Sequence, residues 1–139
     1  DYKPDIVQSP YNVIDRRLKS SGWLDTLYKD SVEIHVRSVF LQGLLLMDES
    51  SRPKKFNEWK YIWDKWESWL EGNCLSRLEG SLGFVLSDPK ITKIVVGVDS
   101  LIQLQEIIKA SQINHITLYP EELCSNCIKL INPVNWNTL

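Results

Sequence analysis

Two short motifs in this sequence have residue types and spacing suited to chemistry. In the first, Cys124 and Cys127 are separated by two residues, as in many redox and metal sites. This pair lies near the carboxyl end and follows no predicted strand. No second cysteine pair completes four ligands, and His115 is alone in its neighbourhood. We therefore expect neither a metal site nor a redox centre at these cysteines.

The second motif is the turn at 97–100, which reads Gly-Val-Asp-Ser and leads directly into a helical pattern. The free N–H groups and the dipole at the start of a helix attract phosphate groups. Asp and Ser before a helix are also good capping residues when no ligand is present. From the sequence alone, phosphate binding and helix capping both remain possible roles for this turn.

A row of aromatic residues is the most prominent pattern in the sequence. Trp59, Ile62, Trp63, Trp66, Trp69 and Leu70 recur at helical spacing, and charged residues occupy the other face. We expect this face to pack against the core rather than bind a ligand. Asn57 is suited to cap the helix, and Gly72-Asn73 is suited to end it. His35 lies in an alternating strand, and we expect it to be packed or solvated.

These motifs must be positioned by alternating strands and helices. The first predicted elements are a buried strand over 5–8, a helix over 21–30 and a strand over 32–36. Ser20 or Ser21 would cap that helix, whose apolar face consists of Trp23, Leu24, Leu27 and Tyr28. Two helices follow between Asn57 and Asp88, and then a strand over 91–98 that is covered on both faces. The chain ends with a helix that has Leu101, Leu104, Ile107 and Ile108 on one face, and with a tail that contains a short helix near 120–130. Such alternation predicts a parallel α/β sheet. Three strands leave open edges, so the unit is more natural as part of something larger.

Composition narrows the class of protein. The chain has 139 residues, 43% hydrophobic and 24% charged, and a net charge of -2. This balance argues against a nucleic-acid partner, and no apolar run is long enough for a membrane span. Three cysteines predict reduced thiols and a cytoplasmic location. Because the sequence starts with Asp1 rather than Met, we expect the natural start upstream.

The sequence contains three segments, at 8–17, 36–45 and 95–106, that together resemble the aldo/keto reductase family. Residues 8–17 (QSPYNVIDRR) are similar to the family's sixth strand and its loop, which often read Q-x-x-Y-N-x-x-x-R. Residues 36–45 (VRSVFLQGLL) are similar to the seventh strand and loop, and residues 95–106 (VVGVDSLIQLQE) to the eighth strand and following helix. Trp136 also resembles a residue of the family's tail. Each motif is weak alone, but their order and spacing agree.

The resemblance implies an α/β fold that is the C-terminal half of a (β/α)8 TIM barrel. Residues 1–139 would form this half, with strands equivalent to six to eight, and 111–139 would be the C-terminal tail. The family reduces an aldehyde or ketone by hydride transfer from a nicotinamide cofactor, NADP or NAD in its reduced form, and usually needs no metal. Its catalytic tetrad belongs to the other half, so no catalytic residue is assigned, and the fragment alone should be inactive.

Since the catalytic residues belong to the other half, the resemblance implies that this chain supplies cofactor-binding surface. The residues that the resemblance implies are Gln8, Arg37, Ser38, Gln42, Gly43, Gly97, Asp99, Ser100, Gln103 and Glu106. Gln8 would contact the nicotinamide carboxamide, the residues after the second strand would line the pyrophosphate path, and Gln103 and Glu106 would hold the adenosine.

Several positions depart from the family pattern. Ile107 replaces an asparagine that binds adenine, and Val39 replaces a proline. Arg37 stands where many members stack an aromatic ring on the nicotinamide, and a guanidinium plane can also stack. Asp99 would oppose a 2′-phosphate, which leaves NAD and NADP both open.

Two other functions remain open. The chain could be a non-catalytic half-barrel that binds a nucleotide or a partner and self-associates, as a homodimer if it is naturally short. A flavodoxin-like nucleotide domain is weaker, because residues 9–11 make a poor phosphate loop. For the reductase, the expected partners are the nicotinamide cofactor, a small carbonyl substrate and the missing N-terminal half of the barrel.

Overall fold

The described part of the chain contains a small parallel sheet with helices. The structure, a computed structural model, describes residues 3–112 and 118–138. The strands are β1 (Ile6–Pro10), β2 (Glu33–Arg37) and β3 (Lys93–Ile94), and they lie side by side in the order β1-β2-β3. Both pairings are parallel. The α/β class with three parallel strands is therefore confirmed.

Helices connect the strands and continue beyond them. They are α1 (Arg17–Ser20), α2 (Trp23–Lys29), α3 (Lys60–Gly72), α4 (Arg77–Leu86), α5 (Leu101–Ser111) and α6 (Ile128–Ile131). Short 3₁₀ segments lie at Leu44–Leu46, Lys54–Trp59, Glu121–Leu123 and Pro133–Thr138. Within residues 3–112 and 118–138, no helix has the length and hydropathy needed to cross a bilayer.

The described residues cover only one face of the sheet. Ile34 and Val36 of β2 are completely buried, whereas the alternate residues Glu33 and His35 are partly exposed. Because side chains alternate along a strand, Glu33 and His35 lie on the opposite face of the sheet from Ile34 and Val36. We call this the open face; it carries Ile6, Gln8, Glu33, His35 and Lys93, which are neighbours in the register. It lies where the rest of a closed barrel would enclose it.

The first strand differs from the prediction. It extends to Pro10 rather than ending at residue 8, and Ile6 is 52% exposed rather than buried. The pairing continues past the proline, since the Tyr11 N–H donates to the Arg37 carbonyl at 3.1 Å. Pro10 is tolerated because β1 is an edge strand of the sheet. The prediction of a buried strand was wrong because β1 has no outer neighbour among the described residues.

The third strand is shorter than the apolar run at 91–98 suggested. Only Lys93–Ile94 pairs with β2, and Val95 and Val98 are 44% and 40% exposed. The apolar run is typical of a strand covered on both faces, but here it forms the other edge of an open sheet. The expected burial on both faces was therefore wrong for the described chain.

The tryptophan row packs into the core, as predicted. Trp63 and Trp66 on α3 are almost fully buried, and Trp59 just before it is 3% exposed. The Trp63 indole N–H donates to the Phe56 carbonyl at 2.9 Å, and that of Trp66 to the Leu45 carbonyl at 3.2 Å. These bonds satisfy the polar atom of each buried ring.

Two helix starts differ from the predictions. Asn57 does not cap a helix, because it lies inside a 3₁₀ segment that runs directly into α3. The predicted helix over 21–30 begins at Trp23 after Gly22, whose φ of 81° is favourable for glycine. On this helix, Trp23 and Tyr28 are 60% and 55% exposed, so its buried face is narrower than the four predicted residues.

The helix that follows β3, α5, is also less covered than predicted. Leu101, Leu104 and Ile108 are 69%, 39% and 48% exposed, while Ala110 is buried. A helix with this apolar outer side needs a further packing partner.

The tail returns to the body of the molecule and is anchored there. The predicted helix near 120–130 is divided into the 3₁₀ segment Glu121–Leu123 and α6. Trp136 packs edge-on against Phe56 at 4.8 Å between ring centroids, and its indole N–H donates to the Leu130 carbonyl. Arg16 donates to the Pro120 carbonyl at 2.7 Å, so it too has a structural role.

Candidate functional site

A groove of about 910 Å³ lies at the carboxyl ends of β2 and β3. Its size falls within the range of ligand pockets, roughly 300–1,000 Å³. The loop after β2 forms one wall, the start of α4 another, and the segment from β3 into α5 the third. In open parallel sheets, ligands bind at this end of the strands.

The groove gathers most of the residues that the sequence implicated. Those that line it are Arg37, Ser38, Gln42, Gly43, Gly97, Asp99, Gln103 and Glu106. They come from segments far apart in sequence, which the parallel sheet brings to one edge. The substituted positions Val39 and Ile107 line the groove as well.

The loop after β2 has an unusual backbone. Ser38, Leu41 and Gln42 have positive φ values of 58°, 47° and 54°, and Gly43 has 82°. Non-glycine residues rarely adopt this conformation, and such residues concentrate at ligand sites. The Asn12 side-chain amide donates to the Ser38 carbonyl at 3.0 Å and helps to hold the loop. The loop therefore presents a fixed backbone to the groove.

The start of α5 is capped by its own residues. The Ser100 hydroxyl accepts from the Gln103 N–H at 3.2 Å, and the Gln103 side-chain oxygen accepts from the Asp99 N–H at 2.8 Å. Ser100 is not among the lining residues, and its hydroxyl is used in the cap. The capping explanation of this turn is thus realised, and phosphate binding there stays a prediction.

Two arginines supply positive charge to the groove. Arg37 lies at the end of β2, and its Nη1 is 3.3 Å from the Ser38 hydroxyl. Arg77 opens α4 and makes two hydrogen bonds to Glu67, of 3.0 Å and 2.8 Å. The opposite charges are Asp99 and Glu106, which belong to the segment leading into α5 and to α5 itself.

Gln8 lies apart from the groove walls. It belongs to β1, is exposed, and pairs with His35 in the register on the open face. His35 has a partner that the sequence did not reveal, since its Nε2 lies 2.7 Å from the Glu33 carboxylate. Lys93 contacts the same carboxylate at 2.7 Å. The hydrogen bonds from His35 and Lys93 hold the pKa of Glu33 below its usual range.

Among the described residues that line the groove, none is a tyrosine or a cysteine suited to proton transfer. Tyr11 and Tyr119 are partly or fully buried away from it, and burial raises the pKa of both phenols well above the usual value. Cys124 is partly buried, which raises the pKa of its thiol. Among the described residues, no group of three possible metal ligands occurs, and His115 lies outside them. The cytoplasmic location stays a prediction.

Comparison with known proteins decides the family. The model of the aldo/keto reductase family matches residues 1–123. This chain belongs to the aldo/keto reductase family. It is similar to the L-glyceraldehyde 3-phosphate reductase of Escherichia coli O157:H7, with 27% identity over 137 residues that cover 85% of this chain and 39% of the relative.

Solved structures agree on the fold. The aldo-keto reductase AKR11C1 from Bacillus halodurans superimposes with a TM-score of 0.62 in its holo form and 0.65 in its apo form. The identities are 21% and 20%, and 81% of this chain is covered in each case. The chain spans 38% and 39% of those two structures. It therefore has part of an aldo/keto reductase fold and not a closed barrel.

Sequence reasoning missed the wall formed by the start of α4. Ser76 and Arg77 line the groove, although neither belongs to a family motif used above. A signal was present, since Ser76-x-x-Glu79 before an apolar run is a capping box and marks the start of a helix. In a parallel sheet, helices begin at the edge where strands end, which would have placed Arg77 at the groove.

Proposed function

We propose that the complete protein containing this chain is a nicotinamide-dependent oxidoreductase that reduces an aldehyde or a ketone. In this proposal, the chain supplies cofactor-binding surface, and the catalytic residues lie in the remainder of the barrel. The observation that carries the proposal is the groove, because eight of the ten implicated residues line it.

The residues of the groove fit a dinucleotide in size and chemistry. The fixed loop at 38–43 offers close backbone approach, and Gly43 keeps its positive φ without strain. Arg37 and Arg77 provide guanidinium groups for phosphate oxygens. Gln103 and Glu106 offer polar atoms for an adenosine. When bound, the cofactor supplies the hydride. This chain positions the cofactor and offsets the negative charge of its phosphates.

Gln8 has a separate role in the proposal. Its side-chain amide is exposed on the open face, two residues before the end of β1. There it can hydrogen-bond the carboxamide of a nicotinamide ring lying across the strand ends. Arg37, on the neighbouring strand, would stack its planar group on the same ring.

The remainder of the barrel is the partner that the proposal requires. The open face and both sheet edges lack covering elements among residues 3–112 and 118–138. The preceding half of a barrel would cover them and bring the proton donor to the groove. A small carbonyl substrate would bind between the two halves, near Arg37.

A second function is favoured by the apolar outer side of α5. Leu101, Ile102 and Ile108 are between 48% and 69% exposed, which is unusual for a free-standing domain. If no catalytic half exists, two copies of this chain could cover these residues mutually. The chain would then be a nucleotide-binding half-barrel that self-associates.

The intact mass of the natural protein separates these functions. A mass well above 16.2 kDa, close to that of the relatives, supports the reductase. The protein should then bind NADH or NADPH and oxidise it in the presence of small aldehydes. A natural mass of 16.2 kDa would contradict the reductase and leave the half-barrel as the remaining function.

A further inference from the structure

The position of Arg77 at the groove is fixed by the start of α4. The Ser76 hydroxyl accepts from the Glu79 N–H at 3.2 Å, and the Glu79 carboxylate accepts from the Ser76 N–H at 2.8 Å. This reciprocal pair holds the first turn of the helix. Arg77 follows immediately, so its backbone is held at the groove wall.

The side chain of Arg77 is held as well. Its Nε and Nη2 donate to the two carboxylate oxygens of Glu67, at 3.0 Å and 2.8 Å. Such a bidentate pair fixes the plane of the guanidinium. Nη1 has no hydrogen-bond partner among the described residues, and about one third of the side chain is exposed. The geometry leaves one charged donor for a ligand.

One carboxylate bonds Arg77 directly, and it also pairs with a second arginine. Glu67 is shared with Arg52, whose Nη2 is 3.4 Å away and whose guanidinium lies over the Trp63 ring at 4.5 Å. Asp48 is a second carboxylate close enough to interact with Arg77. Hydrogen bonds from Ser50 and Ser51 all go to its Oδ1 and lower its pKa to about 2.

The walls of the groove differ in charge. Arg37 and Arg77 come from β2 and α4, whereas Asp99 and Glu106 come from the α5 side. An elongated anion in the groove would place its phosphates toward the arginines and away from the carboxylates. The central diphosphate of a dinucleotide carries two negative charges, which two guanidinium groups can contact.

We propose that Arg77 binds the diphosphate of the dinucleotide through Nη1 and that Glu67 is the positioning residue for its guanidinium. This inference rests on the proposed function. The competing explanation is that Arg77 and Glu67 only join α4 to α3. Arg17 offers a matched control, because its Nε and Nη2 bond Asp15 at 2.9 Å and 2.8 Å while it does not line the groove.

The test measures the affinity of the complete protein for NADH and for NADPH by fluorescence titration at several salt concentrations. Arg77→Gln should weaken both cofactors about tenfold and flatten the salt dependence, as expected for a lost charge-assisted hydrogen bond. Arg77→Lys should recover part of the affinity, since it keeps the charge without the fork. Glu67→Gln should weaken binding less than Arg77→Gln, and Arg17→Gln should not change it.

The outcomes separate this inference from the proposed function. Cofactor binding by the wild type with no change in Arg77→Gln or Arg77→Lys would overturn the role of Arg77 and leave the proposed function standing. A loss confined to NADPH would overturn the assignment to the diphosphate and point to the 2′-phosphate. A wild type that binds neither cofactor would overturn both. If Arg77→Gln does not fold, the cofactor affinity of Arg77→Lys and its salt dependence decide whether Arg77 binds the diphosphate.

Discussion

At the level of residues, the groove combines a rigid backbone with a small number of charged side chains. Ser38 and Gln42 adopt left-handed conformations that the surrounding packing must maintain. Leu41, between them, is 1% exposed and anchors the loop. The polar residues at the groove are therefore held by buried neighbours, as a preorganised binding site requires.

Gln8 provides a test of the nicotinamide end of the proposed cofactor site. Gln8→Ala in the complete protein should weaken NADH and NADPH binding roughly three- to tenfold, the effect of one lost neutral hydrogen bond. Gln105→Ala, an exposed glutamine of α5 that does not line the groove, is the control. Titration of both variants checks this, and equal affinities for Gln8→Ala and the wild type would remove Gln8 from the site.

Asp99 provides a test of the adenosine end of the proposed cofactor site. Its carboxylate lines the groove, and a nearby 2′-phosphate would be repelled. Asp99→Asn should raise the affinity for NADPH about tenfold relative to NADH, an electrostatic difference of about 1.4 kcal/mol. Glu71→Gln, which removes an exposed carboxylate away from the groove, should leave the ratio unchanged. A ratio that does not move in Asp99→Asn would show that the 2′ position lies elsewhere.

At the level of elements, the contact between α3 and α4 shapes the groove wall. Gly80 of α4 lies against the ends of Trp66 and Leu70 of α3, which are themselves buried. A Cβ at Gly80 would stand 2.8 Å from the Trp66 ring and 2.5 Å from Leu70. The glycine therefore permits the close approach that also brings Arg77 to Glu67.

Two glycine substitutions should have different effects on stability. Alanine normally stabilises a helix by up to about 1 kcal/mol relative to glycine. Gly80→Ala should instead destabilise by about 1–3 kcal/mol, because the buried Trp66 ring cannot move freely. Gly72→Ala, with no atom within 4 Å of the new Cβ, should be neutral or stabilising. Urea unfolding of the complete protein measures both, and a stabilised Gly80→Ala would contradict the close packing.

At the level of the whole molecule, the chain has a core and also uncovered apolar surface. The aromatic residues of α3 are buried, yet the outer side of α5 and the edge residue Ile6 are exposed. The exposed parts lie at both ends of the sheet, where the remainder of a barrel would join. The same uncovered surface explains why several residues that were predicted to be buried are exposed.

This surface predicts how the isolated chain behaves. The 139-residue chain alone should bind a hydrophobic dye and associate, whereas the complete protein should do neither. Leu101→Lys should reduce the association severalfold, while Gln105→Lys, which adds the same charge to the same helix, should have little effect. Sedimentation velocity and dye fluorescence measure this. An isolated wild-type chain that is monomeric and dye-free would contradict the prediction.

Local patterns in the sequence determined the type of most elements. The alternation in β2, the tryptophan row of α3 and the Ser100 cap of α5 each follow from nearby residues, so their prediction needed no tertiary information. The motifs at 8–17, 36–45 and 95–106 were sufficient to indicate the family. Eight of the ten implicated residues lie together because parallel strands end at one edge.

Only the tertiary structure decided which apolar residues are covered and which polar residues meet. Ile6, Val95 and Leu101 have sequence patterns typical of buried residues, but burial depends on neighbouring elements that local pattern cannot supply. The pairing of Arg77 with Glu67 joins two helices, and nothing in the spacing of either residue predicts it. Local periodicity encodes the conformation of a segment, whereas contacts between segments depend on how the whole chain packs.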